Sequence, residues 1–126
     1  PTAAYREEGT SYHYLPDSDE IEVDKSLLQK AKSVFDKTIL TVIEGKIWTT
    51  DAVYRETYGK VKLMQERGCL VVDMELSALL ALAKYRDVKF FQFLIGDDAV
   101  SGEIVPPLER NNQEIFNTAI SLLLNI

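Results

Sequence analysis

The chain has 126 residues, of which 46% are hydrophobic and 27% charged, and its formal net charge is -6. Such a length and balance suit one globular domain, residues 1–126, while the acidic surplus and the lack of any Lys/Arg cluster argue against a nucleic-acid partner. Apolar runs fall far short of the ~20 residues that cross a bilayer, and the single cysteine, Cys69, excludes an internal disulfide or a zinc cage.

With no basic-then-apolar leader, the chain reads as cytoplasmic, and Cys69, set in an apolar run, reads as a buried structural thiol. Pro1-Thr2-Ala3-Ala4-Tyr5 carries no capping signal and resembles the end of a strand whose partners lie upstream, so a fragment of a longer protein is expected. From Arg6 to Tyr14, mixed charge, Gly9 and aromatics predict a loop running into a short extended segment, closed by a turn at Pro16-Asp17-Ser18-Asp19-Glu20. Asp24 is placed to cap a helix over 25–36, whose stripe is Leu27, Leu28, Ala31, Val34 and Phe35. Thr38 to Ile43 is rich in β-branched residues and reads as a strand, with Lys46 to Thr49 continuing it after a bulge. Residues 50–59 lack a clean period and read as a loop, the kind of segment that carries function.

A short helix from Val61 to Gln65, stopped by Gly68, leads into a strand at 69–73, a helix at 75–86 and a strand at 88–96. The strand-helix-strand order with near-continuous apolar strands predicts an α/β fold: a mostly parallel mixed sheet, from strands near 38–48, 69–73 and 88–96, covered by helices. After Pro106-Pro107, a closing helix from Asn112 to about Leu124 would bury Ile115, Phe116, Ala119, Ile120 and Leu123.

The most informative stretch is Val71-Val72-Asp73-Met74-Glu75, where an apolar strand ends and an apolar helix opens with two carboxylates two residues apart. Carboxylates at such a junction can accept hydrogen bonds from a polyol. Phe90 to Asp98 repeats the pattern and brings Asp97 to the end of a second apolar run.

These residues, with Trp48 to Thr57, Ile95-Gly96-Asp97 and Arg6-Glu7-Glu8-Gly9-Thr10-Ser11, resemble the nucleoside phosphorylase and uridine phosphorylase superfamily, which also includes nucleosidases. The resemblance spans roughly residues 1–105 and implies the C-terminal part of a three-layer phosphorylase-like fold. It implies a phosphate-dependent pentosyltransferase that releases a purine from ribose, with uridine phosphorolysis, hydrolytic cleavage or a catalytically incomplete nucleoside-binding fragment as alternatives. By the same resemblance Glu75, Met74 and Asp73 hold the ribose, and Thr49, Thr50, Val53 and Tyr54 line the base. Asp97 is then the general acid for the leaving base, a role that needs its carboxyl raised above the usual ~3.9. Nucleoside and phosphate are the implied ligands, with phosphate a co-substrate and no cofactor or metal. No Gly-rich loop or arginine cluster for phosphate occurs here, so the phosphate-binding part is expected to be absent, and an uncovered sheet edge predicts a homo-oligomer.

Overall fold

The computed structural model describes residues 1–96 and 112–125. They group into two compact units, Pro1–Val23 with Glu44–Val105 and Asp24–Ile43 with Pro106–Ile126.

The first unit is built on a four-stranded sheet. Its strands are β1 (Ala3–Glu7), β2 (Glu20–Glu22), β3 (Lys46–Thr50) and β4 (Cys69–Asp73), in the order β2-β1-β3-β4. β1, β3 and β4 run parallel and β2 is antiparallel to β1, so the sheet is mixed and mostly parallel, as expected. Side chains alternate along the strands. Ala4 and Ile47 face one way and pack with Ile21, Val23, Leu76, Leu80 and Ala81, while Trp48 and Cys69 face the other way onto Met64, flanked by Tyr5, Val61 and Val72. Helix α3 (Leu76–Tyr85) thus covers one face and α2 (Tyr58–Glu66) the other, giving three layers. Cys69 is buried and free, and burial pushes its thiol pKa up.

Two expected strands are not formed. Thr38 to Ile43 is irregular and exposes Ile39, Val42 and Ile43, since β-branched composition supplies propensity but no partner to pair with. The 88–96 segment has no regular secondary structure and joins no ladder; Phe90 and Phe91 dock on the core through their side chains, which satisfies an apolar-run criterion without strand pairing. The chain opens on β1, in line with the strand end read at Pro1 to Tyr5, and a 3-10 turn at Ser11–His13 stands where a short extended segment is expected. Elsewhere boundaries hold closely: Gly68 adopts φ 83 after α2, the left-handed geometry a helix stop favours.

In the second unit, α1 spans Lys25–Phe35 and Asp24 Oδ1 accepts from the backbone N–H groups of Ser26 and Leu27 at 2.7 and 3.1 Å, the expected cap. Leu27, Ala31 and Val34 are buried, whereas Leu28 and Phe35 of the predicted stripe are not. Helix α4, Asn112–Asn125, packs on α1. It buries Thr118 and Leu122 and leaves Phe116, Ile120 and Leu123 exposed, a face displaced from the expected one because a threonine, invisible to an apolar count, occupies the contact row. Among the described residues, no helix is long and apolar enough to cross a membrane.

Candidate functional site

Parallel pairing brings the carboxyl ends of β1, β3 and β4 into one row, with Glu7 opposite Thr50 and Thr49 opposite Asp73. Ligands of open α/β sheets gather at such ends. Each strand here hands its last residues to a turn rich in carboxylates and hydroxyls.

The row is held by a buried hydrogen-bond chain. Thr49 Oγ1 donates to Asp73 Oδ1 at 2.7 Å and accepts from the Ser77 backbone N–H at 3.1 Å. Asp73 Oδ2 accepts from the Leu76 backbone N–H at 3.0 Å and from Gln92 Nε2 at 3.2 Å. These bonds satisfy the first two N–H groups of α3, donors that a helix start leaves without intrahelical partners. Ser77 Oγ then donates to Glu8 Oε1 at 2.6 Å, and Glu8 Oε2 accepts from the backbone N–H groups of Thr10 and Ser11 at 2.7 and 3.0 Å. Arg6, only 3% exposed, closes the loop beyond β1: Nε donates to Ser11 Oγ at 2.9 Å and Nη1 to the Pro16 carbonyl at 2.7 Å.

The predicted ribose residues therefore divide. Asp73, 9% exposed, spends its carboxylate on protein donors, while Met74, 48% exposed, and Glu75 stand open to solvent beside it. Glu75 Oε2 accepts only weakly from the Met74 backbone N–H, at 3.2 Å. The predicted base wall divides likewise. Thr49 and Thr50 are buried and Thr49 is committed to the chain of bonds, whereas Val53 is exposed and Tyr54 is 98% exposed. Thr50 lines an open cleft of about 300 Å³ with Glu7, Asp51, Ala52, Arg55, Thr57 and Lys60. Glu7 forms an ion pair with Lys60 and accepts from Trp48 Nε1 at 2.6 Å. Asp97 lies outside the described residues. Among the described residues no group of His, Cys, Asp and Glu side chains is placed to hold a metal ion.

Sequence reading places Glu8 in a motif but assigns it no role, and gives Ser77 neither. Their signals were a carboxylate beside Gly9 at a strand end, and one serine in the otherwise apolar opening of α3.

The two buried carboxylates among the described residues, Asp73 and Glu8, are perturbed in opposite directions. Burial pushes Asp73 above the usual range, outweighing the bonds from Thr49, Leu76 and Gln92, with a further push from the Glu75 charge. Burial also acts upward on Glu8, yet the bonds from Ser11, Ser77 and Thr10 together hold it below. With its folded pKa raised, Asp73 contributes stability that is full below its unfolded pKa and lost as pH rises through the folded value; Glu8 contributes stability that is present above its unfolded pKa and lost as pH falls through the folded value. Asp73→Asn is therefore expected to remove the limb of stability that falls with rising pH, read by urea unfolding from about pH 4 to pH 7. An unaltered pH profile in the variant would remove Asp73 from this role.

A family model described as the phosphorylase superfamily matches residues 1–126. The chain is 35% identical over 100 residues to a purine nucleoside phosphorylase DeoD-type from Brevibacillus brevis and to one from Bacillus cereus, the match covering 79% of this chain and 42% of each relative. Its fold is similar to that of an AMP nucleosidase from Bacteroides thetaiotaomicron, with a TM-score of 0.75 and 22% identity over 98% of this chain and 53% of that one. It is also similar to the P. knowlesi homolog of P. falciparum PNP, with a TM-score of 0.69 and 20% identity over 97% of this chain and 50% of that one. The chain thus spans about half the length of these relatives or less.

Proposed function

The chain belongs to the phosphorylase superfamily, and from that premise we propose that it carries the nucleoside-recognition part of a pentosyltransferase that uses phosphate to displace a purine from ribose. The observation that carries this reading is the exposed Met74-Glu75 pair at the carboxyl end of a parallel strand, held between the buried Asp73 and Ser77. Glu75 accepts the two vicinal hydroxyls of the ribose, because a carboxylate can take two O–H donors at once through short charge-assisted bonds. Met74 packs against the sugar, and Asp73 holds the turn that presents both. As the glycosidic bond lengthens, the sugar gains oxocarbenium character, and carboxylate charge nearby stabilises it.

The 49–56 loop shapes the base pocket, with Val53 and Tyr54 as its exposed members, and Asp97 passes a proton to the departing base. Phosphate is the co-substrate and no cofactor takes part. Its fixation on the opposite face of the sugar, worth several kcal/mol of the barrier through positioning, falls to residues supplied from outside this chain. The exposed apolar residues Leu70 and Val71 on the edge strand β4 support assembly into an oligomer. We place the protein in the cytoplasm.

Incubating the full-length protein with inosine, with and without phosphate, tests the reading: hypoxanthine release is expected only with phosphate, together with ribose 1-phosphate. Equal release without phosphate would make it a hydrolytic nucleosidase. Turnover of uridine alone would move the substrate to pyrimidines.

A further inference from the structure

Asp73 and Ser77 are buried anchors, and the two residues that follow Asp73 are exposed. The anchors are tied to each other through one atom, Thr49 Oγ1, and the second anchor is tied again to the loop after β1 through Glu8. Thr49 and Asp73 are neighbours on adjacent strands, so their bond fixes where the turn begins. The Ser77–Glu8 bond spans 69 residues of sequence and fixes the direction in which α3 leaves it. A carboxylate that must meet two hydroxyls at once tolerates little error in that direction, since hydrogen bonds weaken steeply as they bend.

We propose that Ser77 and Glu8 are positioning residues that aim the Glu75 carboxylate at the vicinal hydroxyls of a ribonucleoside, so that preference for ribo- over 2′-deoxyribonucleosides depends on the Ser77–Glu8 hydrogen bond. The inference rests on the sugar-binding role proposed above for Glu75. Loss of the Ser77 hydroxyl leaves its backbone N–H on Thr49 and leaves Glu8 its donors from Thr10 and Ser11, so the fold survives while the aim is lost. A substrate without the 2′-hydroxyl makes one bond to Glu75 and is indifferent to the alignment of the second.

The experiment titrates inosine and 2′-deoxyinosine into the full-length protein and its Ser77→Ala, Ser77→Thr and Glu75→Ala variants, followed by 1H–15N NMR, with thermal unfolding recorded alongside. In Ser77→Ala the ratio of the two affinities is expected to fall about fivefold, the size of one misaligned hydrogen bond, with 2′-deoxyinosine nearly unaffected. Ser77→Thr, which keeps a hydroxyl on the same carbon, is expected to return the ratio toward the wild-type value. Equal weakening of both nucleosides in Ser77→Ala would show a merely structural role and overturn the proposal, as would an unchanged ratio. If the wild-type protein lacks the preference and Glu75→Ala alters neither affinity, the sugar-binding reading itself fails, a result distinct from selective failure of Ser77→Ala.

Discussion

Glu75→Ala is expected to weaken nucleoside binding by more than tenfold without lowering the melting temperature. On the proposed sugar-binding role, two charge-assisted hydrogen bonds to ribose hydroxyls are at stake, each contributing roughly 1.5 kcal/mol or more, so their joint loss exceeds a factor of ten in affinity. The folded chain gives up little in return. Glu75 is exposed, and its one bond to the Met74 backbone is long and local; exposed substitutions of this kind usually stay within about 0.5 kcal/mol. Isothermal titration with inosine, paired with thermal unfolding, reads both quantities on the same sample. Unchanged affinity would take Glu75 out of the site, and a large drop in melting temperature would reassign it to the fold.

Arg6→Ala should have the opposite profile, a stability loss of about 3 kcal/mol or more. The guanidinium is buried and surrounded by acceptors, namely Ser11 Oγ, the carbonyls of Pro16 and Ser18, and Ser18 Oγ, and its carbon lies 3.9 Å from the centre of the Tyr12 ring. Deleting it removes several charge-assisted bonds and the packing on Tyr12, and leaves buried acceptors without a donor, the costlier half of losing a hydrogen bond. Arg6→Lys would recover only part of the loss, because an ammonium on a flexible stem lacks the planar fork that reaches Ser11 and Pro16 together. Urea unfolding measures the difference, and a loss under about 1 kcal/mol would contradict the central place given to Arg6.

What sequence made legible, and what it hid, follows from how local each signal is. The Asp24 cap, the stop at Gly68 and the succession of β4 and α3 rest on neighbours a few residues away, and the structure has them all. β1 was legible only as a strand end at Pro1 to Tyr5, and β2 not at all, because Ala3-Ala4-Tyr5-Arg6-Glu7 and Glu20-Ile21-Glu22 hold almost no β-branched residues; their pairing partners, not their composition, make them strands. Thr38 to Ile43 is the converse, good composition with no strand paired to it among the described residues. The Met74-Glu75 turn was visible as a motif, but its supports were not: Glu8 and Ser77 meet across 69 positions, and the commitment of Asp73 and Thr49 to each other depends on strand register.

One property of the turn bears on how such a protein changes over generations. The two side chains offered outward, Met74 and Glu75, are the ones the interior does not use, while the flanking Asp73 and Ser77 are locked into it. On the role proposed for Met74 and Glu75, ligand preference and foldedness are written in different letters of the same five-residue word. Drift at Met74 and Glu75 leaves the scaffold intact, whereas selection for folding alone is enough to preserve Asp73, Leu76 and Ser77.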